Sequence, residues 1–461
     1  MDHSNEPTIE QLKQWDKKHV WHSFTQMAEY EPFVISKGHG ATLYDLQGNA
    51  FLDGVSSLWC NLHGHNHPRL NAALKKQSER VSHVTSLGMA NDTTIKLAHR
   101  LPKIAPKGLE HTFFSSDGSS AVEVALKIAF QYWQQKENPK PQKRKYLALT
   151  DAYHGDTLGS VSVGGVARFH EMFHPLLFEV LRLPTPDNYR LPEGVTREEA
   201  CSFYTNQLEE VLEKHHHELA AFVIEPKMQC AAGMLKHPEG YFKEVRRLTQ
   251  KYNVLLIADE VAVGNGRSGT YFASEQEGVH PDILCTGKGL TGGYLPLAIT
   301  MTTTEIWNAF LGEYHESKTL FHGHTYSGNP LGAALALESL NLFEDENLLS
   351  HVREKAKLFT KLLSELNEYE EVGDIRQLGL IAGVEFVQDR QAKTPFPWDK
   401  KVGIQICNGA LEKGVWLRPL GNVLVILPPL SITEQELQTI FQGVHYGISQ
   451  TFGNKPKLQP T

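Results

Sequence analysis

Five short apolar runs constrain this chain most: Tyr146–Leu149, Ala221–Ile224, Val254–Ala258, Ile283–Leu284 and Leu295–Ile299 each give way to glycine or polar residues and then to a helical pattern. A strand that returns through a helix lies parallel to its neighbour, and a sheet covered by helices on both faces needs strands that are apolar throughout. The order therefore predicts an α/β domain with a largely parallel sheet. In such sheets ligands sit beyond the carboxyl ends of the strands, so the residues directly after each run are the candidates for chemistry.

Past residue 330 the pattern changes to a long helical stretch, then strand-like runs at Leu378–Phe386, Val415–Leu417 and Val423–Leu427. A last helix is expected near Thr433, whose spacing to Glu436 fits a capping box. Residues 33–54 read as strands and tight turns outside the large sheet, and Gln134–Lys145 as an exposed loop. The expected organisation is an N-terminal segment, 1–60, that joins a small domain; a large domain, 61–330; and a smaller α+β domain, 331–461.

With 461 residues and 41% hydrophobic content, the chain is long enough to bury the cores of two domains. Its formal net charge of -8 gives no general attraction to nucleic acid or an anionic membrane, which leaves small molecules as the expected partners. The polar N-terminus lacks the apolar core of a signal peptide and no run reaches bilayer length, so a cytoplasmic location is expected. Cys60, Cys201, Cys230, Cys285 and Cys407 are scattered and odd in number, which suits reduced thiols better than a disulfide framework.

Lys288 stands between two glycines directly after an apolar run. A Walker loop would need glycine at 282 and a hydroxyl residue at 289, and those positions hold Asp282 and Gly289. What remains is a strand-end lysine with small neighbours, where a flat ligand can approach. By itself it is more simply a turn residue, and Asp259, at the end of VLLIA, is more simply a cap or ion pair. Together they suit a pyridine aldehyde cofactor: the lysine makes an imine with the aldehyde, and the carboxylate keeps the ring nitrogen protonated. Opposite charges about 4 Å apart at an effective dielectric of roughly 20 interact by about 4 kcal/mol, enough to move a pyridine proton equilibrium by a few units.

A cofactor phosphate would find free N–H groups at Gly118-Ser119-Ser120, where a short strand leads into an amphipathic helix. A plain helix cap is the bland alternative. Asp117 is expected to face away or cap that helix. Tyr153, after the run at 146–149, offers a ring to stack on, or simply packs. The loop FHGHTYSGNP (321–330) holds further donors. The alternating His63, His65 and His67 and the consecutive His215-His216-His217 invite a metal, but the first set lies in a turn-like LHGHNHP and the second on a helix where successive side chains diverge; no metal is expected. Glu225 and Arg267 are read as structural or loop-ordering.

The segments HVWHSFTQM, DGVSSLWCNLHGHNHP, DGSSAVEVALKIAFQYW, AYHGDT, IADEVAVGNGRSGTYFASE, TGKGLTGGYLPLA, HGHTYSGNP and VWLRPLG resemble those of class III pyridoxal-phosphate aminotransferases of fold type I, over about residues 18–448. The resemblance implies a large domain with a mainly parallel, seven-stranded type of sheet, plus a smaller α+β domain. It implies pyridoxal 5'-phosphate as cofactor, with Lys288 in the covalent role and later moving a proton, Asp259 on the ring nitrogen, Gly118 and Ser119 on the phosphate and Tyr153 against the ring. His324 and Thr325 would reach the phosphate from a neighbouring subunit, with Gly323 beside the substrate, so a homodimer is implied. Phe24, Leu58, Trp59, Tyr153, Lys288 and Arg418 would meet substrate, Arg418 taking its carboxylate.

The implied activity is amination of 8-amino-7-oxononanoate to 7,8-diaminononanoate in biotin biosynthesis. A broad ω-amino acid or amine:pyruvate aminotransferase is the alternative, and a cofactor-free or regulatory relative is disfavoured by intact Lys288 and Asp259. Phe24, Leu58 and Val425 replace aromatic or hydroxyl groups of members that use S-adenosylmethionine as donor, which places lysine ahead of S-adenosylmethionine. Cys230, Ala232 and Asn265 also depart from the family pattern.

Overall fold

The computed structural model describes residues 6–453. Residues 1–5 and 454–461, at the two ends of the expected domains, lie outside the described residues.

A seven-stranded sheet forms the centre, in the spatial order Leu109–Ser115, Ala298–Thr303, Ile283–Thr286, Leu255–Asp259, Leu219–Ile224, Lys145–Leu149, Val180–Leu183. Five neighbouring strands are parallel, and Ala298–Thr303 runs antiparallel to both of its neighbours. The strands Leu219–Ile224 and Leu255–Asp259 are buried at every residue, because helices cover both faces. One face packs on Gly118–Gln135, whose Ala121, Val124, Ala125 and Ile128 are buried; the other packs on Ala200–His215 and Tyr241–Lys251 through Leu208, Leu212, Val245 and Leu248.

Two smaller sheets tie the chain ends together. Ile35–His39, Thr42–Asp45 and Ala50–Asp53 form an antiparallel set, and Ala50–Asp53 pairs in parallel with Val415–Trp416. Val372–Leu378, Ile381–Asp389, Val423–Ile426 and Arg418–Leu420 form the other. The last helix, Glu434–Phe452, starts at Thr433 with the expected capping box to Glu436. All five cysteines are free thiols.

Three expected elements are redrawn. The run Leu295–Ile299 becomes a strand only from Ala298, since Pro296 has no N–H for a ladder; the strand is antiparallel and ends at Thr303. Leu378–Phe386 is broken by Gly379, at φ +58, into the turn of a hairpin. Val415–Leu417 is a strand only over Val415–Trp416; Leu417 lies outside it, and Arg418 starts a strand of another sheet. Of the segment 134–145, Gln134 and Gln135 still belong to the helix Gly118–Gln135 and Lys145 already starts a strand; the residues between form a loop, but Lys143 within it is buried and donates to the carbonyl of Leu219 at 3.0 Å.

Candidate active site

Parallel pairing places Asp259 in register with Cys285, so the chain leaves both strands at one sheet edge and Lys288 follows beside Asp259. Lys288 adopts a left-handed backbone, φ 42, a conformation that costs a non-glycine residue about 1–3 kcal/mol and that the packed turn holds. Its Nζ lies 5.3 Å from the centroid of the Trp59 ring.

Asp259 is buried at the floor of the resulting cavity. Its Oδ1 accepts the Val261 N–H at 3.0 Å, and its Oδ2 lies 2.7 Å from Nδ1 of His154. The His154 side chain has no solvent exposure, and its Nε2 is buried without a partner. Glu225 stands at the end of the adjacent strand and accepts N–H groups of Tyr153 at 3.3 Å and Cys230 at 3.0 Å. Burial pushes the Glu225 carboxyl up to about 7, with His154 opposing and Asp259 adding to the shift.

The helix Gly118–Gln135 opens onto the same edge. Asp117 caps it, accepting the Ser120 N–H at 2.9 Å and its hydroxyl at 3.1 Å, as expected for this residue. Gly118 sits so close to the strand end that a Cβ there would lie 2.6 Å from Cγ1 of Val261. Ser119 Oγ accepts the Asp156 N–H at 3.0 Å. Gly155, at φ +116, is where that loop crosses the helix start.

The cavity, about 580 Å³, is lined by seven of the sequence-derived residues: Leu58, Trp59, Gly118, Ser119, Tyr153, Asp259 and Lys288. Phe24 and Arg418 line a second cavity of about 550 Å³ that shares Ala231 with the first. Aromatic rings connect the two, Phe24 to Phe169 at 5.2 Å and Phe169 to Tyr153 at 6.2 Å. Arg418 faces Val425 across an antiparallel pair, and burial lowers its pKa from the usual value, with Tyr153 opposing. Gly323, His324 and Thr325 line neither cavity; Gly323 and Thr325 are exposed, and His324 Nε2 lies 3.1 Å from Nε2 of His322.

The family model for aminotransferase class-III matches residues 25–447. The chain is a class III aminotransferase. It is 50% identical over 446 residues to the adenosylmethionine-8-amino-7-oxononanoate aminotransferase of Geobacter sulfurreducens, spanning 96% of this chain and 98% of that one. The crystal structure of the enzyme of that name from Methanocaldococcus jannaschii superposes with a TM-score of 0.90 at 42% identity, over 95% of this chain and 98% of the other. A thermostable (S)-enantioselective omega-transaminase from Thermomicrobium roseum superposes with a TM-score of 0.93 at 34% identity, over 97% and 100%.

His154 in this aminotransferase was not legible as a site residue, and Glu225 was read as structural. Glu225 directly follows the strand Leu219–Ile224 and His154 lies in the loop after Lys145–Leu149, which was the available signal. Arg267 is structural: wholly buried, it donates to the carbonyl of Asn61 at 2.9 Å and to that of Pro428. The histidines separate to different partners, His63 to Ser339 at 2.8 Å, His65 to Asp53 at 2.9 Å and His215 to Glu218 at 2.7 Å. Among the described residues no helix is long and apolar enough to cross a membrane.

Proposed function

We propose that the aminotransferase uses pyridoxal 5'-phosphate to convert 8-amino-7-oxononanoate to 7,8-diaminononanoate in biotin biosynthesis, in the cytoplasm and as a homodimer. The observation that carries this reading is the convergence of Asp259, Lys288 and the Gly118–Ser119 helix start on one cavity. The relatives' names supply the substrate.

The residues present fit the cofactor. The close approach at Gly118 leaves a cradle of free N–H groups at a helix start, suited to a phosphate. Asp259 is a buried carboxylate pinned from two sides and open to a ring nitrogen, and Tyr153 presents a ring in the cavity wall. When bound, pyridoxal phosphate supplies an electron sink for the pair left on a substrate carbon as its proton departs.

The protein's own part is to place charges and protons. Asp259, oriented by His154, holds a proton on the ring nitrogen. Lys288 takes a proton at Nζ from one substrate carbon and returns it to another position, with the Trp59 ring limiting where its amine can swing. Arg418 binds a carboxylate through its fork. Gly323, His324 and Thr325, which line neither cavity of their own chain, are assigned to the phosphate and substrate of the neighbouring subunit.

Each of two donors is favoured by one observation. The relatives' names point to S-adenosylmethionine, whereas Phe24, Leu58 and Val425, all placed at or behind the cavities, point to lysine. Purified enzyme given 8-amino-7-oxononanoate with lysine, S-adenosylmethionine or alanine in parallel, and assayed for the diamine, decides between them. Formation with either of the first two supports the reading. No diamine with any donor, together with turnover of simple amines and pyruvate, overturns it in favour of the broad transaminase that the Thermomicrobium roseum relative represents.

A further inference from the structure

The second cavity, which Phe24 and Arg418 line, holds a further arginine with no role so far. Arg168, on the short helix Ala167–His170, places its guanidinium carbon 3.5 Å above the centroid of the Trp398 ring. Trp398 is itself seated on Gly421, where a Cβ would lie 2.7 Å from its Cζ3. The guanidinium therefore rests over a supported aromatic plane, an arrangement that leaves its N–H groups available to an anion.

Among the described residues neither Arg168 nor Arg418 has an ion-pair or hydrogen-bond partner, and both line this one cavity. The remaining charges there neutralise each other, Lys401 with Glu29 at 2.5 Å. The cavity thus combines an aromatic passage, Phe24 to Phe169 to Tyr153, with two uncommitted guanidiniums, one half-buried by the passage and one exposed at the mouth. A cavity with an apolar middle and unpaired positive charge selects an apolar chain that ends in an anion.

We infer that Arg168, oriented by Trp398, is a specificity-determining residue that receives the carboxylate of an amphiphilic keto acid at the cavity mouth, in series with Arg418. The inference rests on the proposed function for the identity of the acid, but not for its charge. It favours acids over neutral ketones of the same length, and it acts on capture of substrate before it acts on the chemical step.

The test compares 8-amino-7-oxononanoate with its methyl ester, which keeps the amine but lacks the carboxylate charge, in wild type, Arg168→Gln and Arg168→Lys. The quantity read is kcat/KM for the acid divided by kcat/KM for the ester. Loss of one charge-assisted hydrogen-bonding partner should lower that ratio about tenfold in Arg168→Gln, with Arg168→Lys keeping part of it. An unchanged ratio in Arg168→Gln overturns the inference, as does an equal fall for acid and ester. If wild type aminates neither compound, the proposed function fails by itself, and the same ratio on a medium-chain keto acid and its ester still decides the role of Arg168.

Discussion

Asp259 concentrates the chemistry of this molecule in one carboxylate. The Val261 N–H donates to one of its oxygens and the buried His154 ring contacts the other, so the group is fixed in position at the cavity. Asparagine in its place keeps the shape and removes the charge. The interaction of opposite charges about 4 Å apart at a dielectric of roughly 20 is about 4 kcal/mol, or close to three decades in rate. Asp259→Asn should therefore lower single-turnover rates by about 10³-fold without a matching loss of melting temperature; a fall below about tenfold would show that the charge is not used. The Asp259 and Lys288 pair was legible because each ends an apolar run. His154 was not, because its partner is 105 positions away and a histidine after a strand is ordinary in sequence.

At the scale of elements, the cavity is a meeting of strand ends with one helix start, and its tolerance is set by a crossing loop. A Cβ on Gly155 would lie 1.7 Å from Ser119 Oγ and 2.9 Å from Ser119 Cα, so the hydroxyl can rotate away but the backbone cannot. Gly155→Ala also forces a side chain into φ +116, at about 1–3 kcal/mol. The strain should fall on the first turn of Gly118–Gln135, where the cofactor phosphate is assigned. The expected outcome is a lower melting temperature and pyridoxal phosphate binding about tenfold weaker in an equilibrium titration, the equivalent of one charge-assisted hydrogen bond. Wild-type affinity would separate this helix start from the phosphate. The parallel strands of the sheet were legible from their unbroken apolar runs. The direction of Ala298–Thr303 was not, because it is fixed by pairing with Leu109–Ser115, nearly two hundred residues earlier. The strand Val180–Leu183 was missed because it sits at the sheet edge and exposes Arg182.

For the whole molecule, the cavity is not the property of one stretch of chain. The Ser56 hydroxyl donates to Leu427 at 2.7 Å and Val415 pairs with Leu52, so the segment carrying Leu58 and Trp59 is anchored to the C-terminal part. One side remains open in a single chain. Near the loop of Gly323, His324 and Thr325, large apolar side chains stand in water, among them Tyr314, Phe321 and Tyr326, and Leu87 and Met89 are likewise exposed. Exposed apolar surface of that kind is what the proposed homodimer would cover, and a two-fold symmetric pairing would carry each loop to its partner's cavity. A shared site makes a distinctive prediction. Lys288→Ala destroys a chain's own cavity but leaves its loop intact, and Thr325→Arg spoils the loop while leaving Lys288 intact. Each variant alone should be inactive. After the two are mixed and allowed to exchange subunits, half of the dimers are mixed, and each mixed dimer holds one cavity with both Lys288 and an intact loop. Activity should return to about a quarter of the wild-type level. If the mixture stays inactive while native mass spectrometry shows exchanged dimers, the loop serves its own chain and the shared-site reading falls.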